Sequence, residues 1–199
     1  MMILRSVPAS PYGRKVKIAA KVLKLFDRLD IQPADTTSPS DTLRQQNPLG
    51  KIPVLLLDDG TAIFDSRVIV EFLDQLAGGG IIVPRNSSRW DVLTRAASAE
   101  GIMDASLLLR YEQTMRTAEQ RSTSWTDNHQ GKIDRALAVC EANPPALTDP
   151  PDVAQIGLAC ALGYQDLRFE GKWRAGHPKL VAWLDRFAAA VPAFAETRA

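Results

Sequence analysis

Cysteine, histidine and net charge are all in short supply in this 199-residue chain, and each shortage closes off a class of function. Two cysteines, Cys140 and Cys160, cannot build a disulfide scaffold and fit a reducing, cytoplasmic setting. Two histidines, His129 and His177, are too few for a multi-histidine metal centre, so no metal is expected. The 24 basic and 23 acidic side chains leave a formal charge of +1, without the basic excess of a nucleic-acid binder or any acidic tail. No apolar run approaches the ~18 residues of a membrane span. The opening MMILRSVPAS meets Arg5 after four apolar residues, too soon for a secretory core of about 7–15 residues. A soluble globular protein remains, and a hydrophobic fraction of 45% supplies a sizeable core for one long or two compact domains.

Up to about Leu76, short apolar runs alternate with helical patterns. Ile3-Leu4 opens a first strand. Ser10-Pro11 then starts a helix, since serine is a favoured N-cap and proline suits the first helical position. Val16, Ile18, Ala19, Ala20, Val22, Leu23 and Phe26 give it a broad apolar face, leaving Arg14, Lys15, Lys17, Lys21 and Lys24 mostly outside. Leu29 to Pro33 reads as a second strand, and Thr36 to Asn47 as polar chain with at most one short helix. Val54–Leu57 and Thr61–Phe64 flank Asp58-Asp59-Gly60, whose glycine supplies the positive φ of a tight hairpin. Asp65-Ser66 caps a further helix with Val68, Ile69, Phe72, Leu73 and Leu76 on its buried side. The order β-α-β, polar crossover, β-β-α predicts a small mixed sheet with helices packed on it.

Gly78-Gly79-Gly80 breaks this pattern and opens a linker. Beyond it, strand-like alternation disappears. Helical periodicity runs from Arg89 to about Met115 and from Lys132 to Ala142, and further helices start near Asp152 and Pro178. The expected division is an α/β domain over 1–77, a linker over 78–86 and an all-α domain over 87–199.

Few residues here offer chemistry, and each also has a plain structural role. Ser10 can serve as an N-cap, the commoner role, or its hydroxyl can donate to an anion at the positive end of the helix. No general base stands nearby, so it is not read as a covalent nucleophile. Pro53 suits a strand entry, where a trans bond is the default; a cis bond would turn the N–H and C=O of Ile52 outward, open to a peptide-like ligand. Asp65 and Ser66 either cap a helix or recognise the α-amino-acid end of a zwitterion, the helix N–H groups taking the carboxylate and Asp65 the ammonium. Lys51 is a solvated lysine or the partner of a second carboxylate.

Ser10-Pro11-Tyr12, the run Asn47-Pro48-Leu49-Gly50-Lys51-Ile52-Pro53-Val54-Leu55, and Asp65-Ser66 stand in the order and at the distances seen in the glutathione S-transferase family. The chain resembles that family over nearly its whole length. Asp152-Val153-Ala154-Gln155-Ile156-Gly157-Leu158-Ala159, with an Asp-x-x-Gln capping box, resembles the capped helix of the family's C-terminal domain. Cys160-Ala161-Leu162-Gly163-Tyr164 and His177-Pro178 with Trp183 add to the likeness, Ala99 to Ala105 resembles a bacterial branch of the family, and Ser10 stands where serine- and cysteine-type members place their residue.

The resemblance implies a thioredoxin-like N-terminal domain, an all-helical C-terminal domain and a cytoplasmic homodimer. It implies glutathione as co-substrate, paired through its cysteinyl backbone with Ile52 beside a cis Pro53. The γ-glutamyl group would sit at Asp65 and Ser66, and the glycine carboxylate near Lys51. Ser10 matches the position that addresses the sulfur; the tyrosine of tyrosine-type members would fall at Val7, and Tyr12 does not match it. The implied reaction is attack of the glutathione thiolate on a small hydrophobic electrophile held by Met103, Leu107, Leu108 and Tyr111, with Asp104 reaching the γ-glutamyl group across the dimer. Isomerase, dehalogenase or peroxidase chemistry on the same fold stays open, as does a non-catalytic binding module. The Cys-x-x-Cys position of redox-active relatives reads Ser10-Pro11-Tyr12-Gly13, so no mixed disulfide with glutathione can form there. Cys140 and Cys160 read as small buried hydrophobes.

Overall fold

The first strand sets the sheet. In the computed structural model, which describes residues 1–199, β1 (Met2–Arg5) lies at its centre and buries Met2 and Leu4. It pairs in parallel with β2 (Leu29–Gln32) and antiparallel with β3 (Val54–Leu56), Leu4 standing opposite Ile31 on one side and Leu55 on the other. A hairpin joins β3 to β4 (Ala62–Ile63), giving the strand order β2-β1-β3-β4. Gly60 takes the hairpin's positive φ of 86°. The two crossings are α1 (Pro11–Val22), between β1 and β2, and a polar stretch holding only α2 (Leu43–Gln46) before β3. That stretch is organised from the sheet: Arg5 donates to both oxygens of Asp41 (2.9 and 3.1 Å), to Thr42 and to Gln46. After β4 comes α3 (Ser66–Leu76), which packs on α1 so that Val16, Ile18, Ile69 and Leu73 share one core with Leu4 and Leu55.

Helices make up the rest: α4 (Arg89–Met115), α5 (Thr123–Ala142), α6 (Val153–Phe169), α7 (Pro178–Ala190) and α8 (Ala193–Glu196). Asp152 caps α6 by accepting from the N–H of Gln155 at 2.9 Å. α6 is buried over most of its length and lies against both α4 and α1, so the core runs unbroken from the sheet into the helices. Gly157 lets α4 approach: a Cβ there would stand 3.3 Å from that of Ala99.

Four expectations need correcting. Val68 and Leu76 of α3 face outward, and Val70 and Asp74 take their place inside. The reason lies beyond the helix: the Asp74 carboxylate accepts from the N–H groups of Gly80 (2.7 Å), Ile81 (3.0 Å) and Ile82 (2.8 Å). The linker is therefore a fixed strap, with Ile82 and Val83 buried and the Ile82 carbonyl accepting from Val153 N–H at 2.9 Å. Secondly, α5 begins at Thr123 rather than Lys132; Ser122 caps a polar first half that carries little apolar pattern. Thirdly, Arg14 and Lys15 are buried, not on the solvent side of α1. Lastly, Cys160 is fully buried but Cys140 only half so.

Candidate active site

Ser10 ends a turn whose N–H bonds back to the Val7 carbonyl (3.1 Å), and it begins α1 in an extended conformation. Its Oγ accepts from the N–H of Gly13 at 3.1 Å. The hydroxyl proton has no acceptor in the chain, so capping and donation use different parts of one group. Pro11 contributes no N–H at the first helical position. Gly13 lets the start of α1 approach Ser6, whose Cβ would stand 3.2 Å from a Cβ at this position.

The β3 entry is built by Asn47, which is almost fully buried. Its amide donates to the Lys51 carbonyl (2.8 Å) and accepts from Leu49 N–H (3.0 Å), and Gly50 closes the turn at a φ of 61°. The Ile52–Pro53 peptide is cis, Pro53 is buried and Ile52 half-buried. Neither the N–H nor the C=O of Ile52 is used by the chain's own backbone bonds. Lys51 is exposed and makes no ion pair.

At the start of α3, Asp65 caps through Arg67 N–H (2.9 Å) and pairs with the Arg67 guanidinium, Nη2 to Oδ2 at 2.7 Å. Ser66 is buried, and its N–H is free of any acceptor in the chain. Burial pushes the Asp65 carboxyl up, but hydrogen bonds from Arg67 and the charges of Arg67 and Lys15 more than offset this and hold it below the usual carboxylate range. Arg67 in turn stays protonated more firmly through Asp65, aided by Glu100 and Asp104 of α4.

The structure thus gathers a charged group that sequence reasoning left out. Lys15 of α1 is buried in an ion pair with Glu100 of α4. Next to it, the Tyr12 hydroxyl donates to Asp104 in the same chain. The available signal was Glu100, an acid set among the apolar residues of α4. Asp104 therefore has one partner within its own chain, accepted through Oδ1, and its side chain stays exposed. Met103 is fully buried in the core. Leu107 and Leu108 are half-buried and Tyr111 is exposed.

Beside Ser10 the structure opens a cavity of about 460 Å³, walled by Pro8, Ala9, Tyr164, Leu167 and Phe194 as well as Ser10. Arg14 forms part of its wall: its Nη2 donates to the Phe194 carbonyl at 2.5 Å, and its guanidinium lies 4.0 Å above the Phe194 ring. A Cβ at Gly163 would approach Arg14 Nη1 to 2.5 Å, so a larger residue there would displace the Arg14 guanidinium. No sequence pattern marked this cavity, because its walls come from the β1–α1 turn, α6 and the last helices. No group of three or more His, Cys, Asp or Glu is placed to hold a metal ion. No helix is long and apolar enough to cross a membrane.

A small mixed sheet carrying a capped α1, an open β3 entry and a capped α3, joined by a strap to a helical bundle, is the fold of glutathione transferases. The chain belongs to the glutathione S-transferase family: residues 4–80 match the model of its N-terminal domain and residues 123–186 that of its C-terminal domain. Among curated proteins it is 35% identical to the uncharacterized GST-like protein YibF of Escherichia coli K12, over 86% of each chain. Among solved structures, a glutathione transferase family member from Pseudomonas fluorescens Pf-5 with bound glutathione superposes with a TM-score of 0.92 at 44% identity, covering 100% of this chain and 98% of that one. A structure of a Pf-5 family member with bound S-(propanoic acid)-glutathione gives a TM-score of 0.88 at 43% identity, covering 100% of this chain and 99% of that one.

Proposed function

We propose that the protein is a glutathione-dependent transferase, which ionises the glutathione thiol at Ser10 and delivers it to a small electrophile. The observation that carries this reading is the Ser10 hydroxyl, anchored as the α1 cap through one lone pair while its proton is left without an acceptor. An ordinary thiol has a pKa of about 8.5 and is only a few per cent ionised at neutral pH. Lowering it by two units takes about 2.7 kcal/mol. A hydrogen bond to a charged group contributes about 1.5–3 kcal/mol and a helix N-terminus about 0.3–1. Ser10 and α1 together therefore suffice without a dedicated base.

The tripeptide would lie along the β3 entry. Its cysteinyl backbone would pair with the unused N–H and C=O of Ile52 beside Pro53, its glycine carboxylate would meet Lys51, and its γ-glutamyl group would meet Asp65 and Ser66. Arg67 now reaches both oxygens of Asp65, so the incoming ammonium must share or displace it. The relatives at 44% and 43% identity hold glutathione and a glutathione thioether, the latter being the kind of molecule a transferase releases. On this reading residues 1–77 bind glutathione, 78–86 link, and 87–199 receive the electrophile, in a cytoplasmic homodimer. Support for pairing comes from Val68 and Trp90, exposed apolar side chains on α3 and α4, two helices tied by the Arg89–Glu71 ion pair at 2.7 Å.

Replacement Ser10→Ala is expected to keep glutathione bound while returning its thiol pKa towards 8.5. Thiolate absorbance in the ultraviolet, titrated against pH, reads this directly. An unchanged pKa in the variant would reduce Ser10 to a helix cap and remove the mechanism.

A further inference from the structure

We propose that Arg14 is a second catalytic group of this site: its Nη1 donates to the oxygen that gathers charge when the glutathione thiolate adds to an α,β-unsaturated carbonyl compound. The inference rests on the transferase reading above and names both a class of electrophile and the residue that favours it.

Ser10 and Arg14 wall the same cavity, one turn apart at the start of α1, a spacing that sets Cβ atoms about 5–6 Å from each other. Arg14 is only 9% exposed, and its guanidinium is held from several sides. Nη2 donates to the Phe194 carbonyl, Nε to Thr197 Oγ1 at 3.4 Å, and the group lies over the Phe194 ring. Nη1 has no acceptor in the chain. It is not sealed in either, since the buried side-chain nitrogens that lack a partner are His129 Nδ1 and Arg168 Nε. Nη1 lies against Gly163, another residue of the cavity wall, whose missing side chain leaves it room. The other charged residues of the wall are placed differently. Arg174 is gripped by both oxygens of Asp166 (2.8 and 2.6 Å), while Asp185 and Arg198 are exposed to water and opposite in sign. Arg14 is thus the buried cation of this cavity. A guanidinium stays charged at every ordinary pH, and this one is fixed with a donor to spare.

This arrangement suits one kind of electrophile. In a conjugated ketone or aldehyde, the oxygen lies at the far end of the conjugated system from the carbon that sulfur attacks. The sulfur bonds to the β-carbon, the alkene π pair becomes the new bond between α-carbon and carbonyl carbon, and the carbonyl π pair moves onto oxygen. Arg14 Nη1 meets that oxyanion with a charge-assisted hydrogen bond whose donor is in place before the reaction begins. The α-carbon then takes a proton from water and the carbonyl re-forms. The hydroxide left behind is neutralised by the proton the thiol gave up, and nothing is oxidised or reduced. Substitution at an alkyl halide develops no such oxygen, because its charge departs with the halide.

Steady-state kinetics with glutathione and two electrophiles, 4-phenylbut-3-en-2-one and benzyl chloride, test this. Wild-type protein should accelerate the enone addition over its spontaneous rate at least tenfold more than the halide substitution. In Arg14→Met, the ratio of kcat/KM for the enone to that for the halide should fall by about a hundredfold. Arg14→Lys, which keeps a charged donor, should restore much of it. Losing only the clasp on the final helix would lower both reactions alike. Equal or greater acceleration of the halide by the wild type, or a ratio unchanged in Arg14→Met, overturns the inference and leaves the transferase reading standing. If Arg14→Met does not fold, the wild-type comparison decides. Acceleration of neither reaction overturns the inference as well, and the transferase reading falls with it where bound glutathione keeps its ordinary thiol pKa.

Discussion

Asp65 carries its charge under opposing influences. Burial disfavours the anion, while Arg67 and Lys15 favour it and prevail. A depressed carboxyl loses its charge only when pH falls through its folded value, so stability drawn from this contact is present above the unfolded value near 3.9 and fades below it. Glutathione recognition through the ammonium should accordingly persist as pH drops through the ordinary carboxylate range; titrating affinity against pH checks this. Asp65→Ala should weaken glutathione at least tenfold, about 1.4 kcal/mol, and equal affinities by calorimetry would take Asp65 out of the site. Cys160 presents the opposite case: complete burial pushes its thiol up to about 12, so alkylating reagents at pH 8 should leave it untouched in the folded protein and label it after unfolding. Ser10 and Asp65 were readable in advance because a cap bonds to residues two or three places away. Lys15 was not, since its partner Glu100 is 85 positions along the chain.

Helices α1 and α4 meet through that buried pair. Removing one partner strands the other charge away from water, so Lys15→Met should lower stability by about 3 kcal/mol. The double variant Lys15→Met/Glu100→Leu should recover most of it, as urea denaturation would reveal. α3 teaches a related lesson. Its apolar spacing pointed Val68 and Leu76 inward, whereas the helix is turned so that Asp74 can bind three N–H groups of the strap. Those donors come six to eight residues later, outside any window of helical periodicity. Asp74→Ala would leave them without acceptors, at about 1–3 kcal/mol for each that stays buried. α5 escaped notice over its first half because Thr123 to Gly131 is polar on nearly every face, and its burial there rests on His129.

The βαβ-ββα order and the helical character of the remainder were plain in the pattern of glycine, proline and apolar residues, because each is written locally. The cavity beside Ser10 was not, since Pro8, Tyr164 and Phe194 are joined only by the fold. If the outward Val68 and Trp90 belong to a paired surface, sedimentation should give a dimer and Trp90→Glu a smaller species; a monomeric wild type would refute the pairing. One contact reaches further than its size suggests. Arg14, in the first turn after Ser10, is clasped by the carbonyl of Phe194 and lies flush on Gly163. The group proposed to steady the sulfur is thereby anchored from the opposite end of the polypeptide. Fraying of the final helix would surface first as a drift in the acidity of bound glutathione, well before the fold itself gave way.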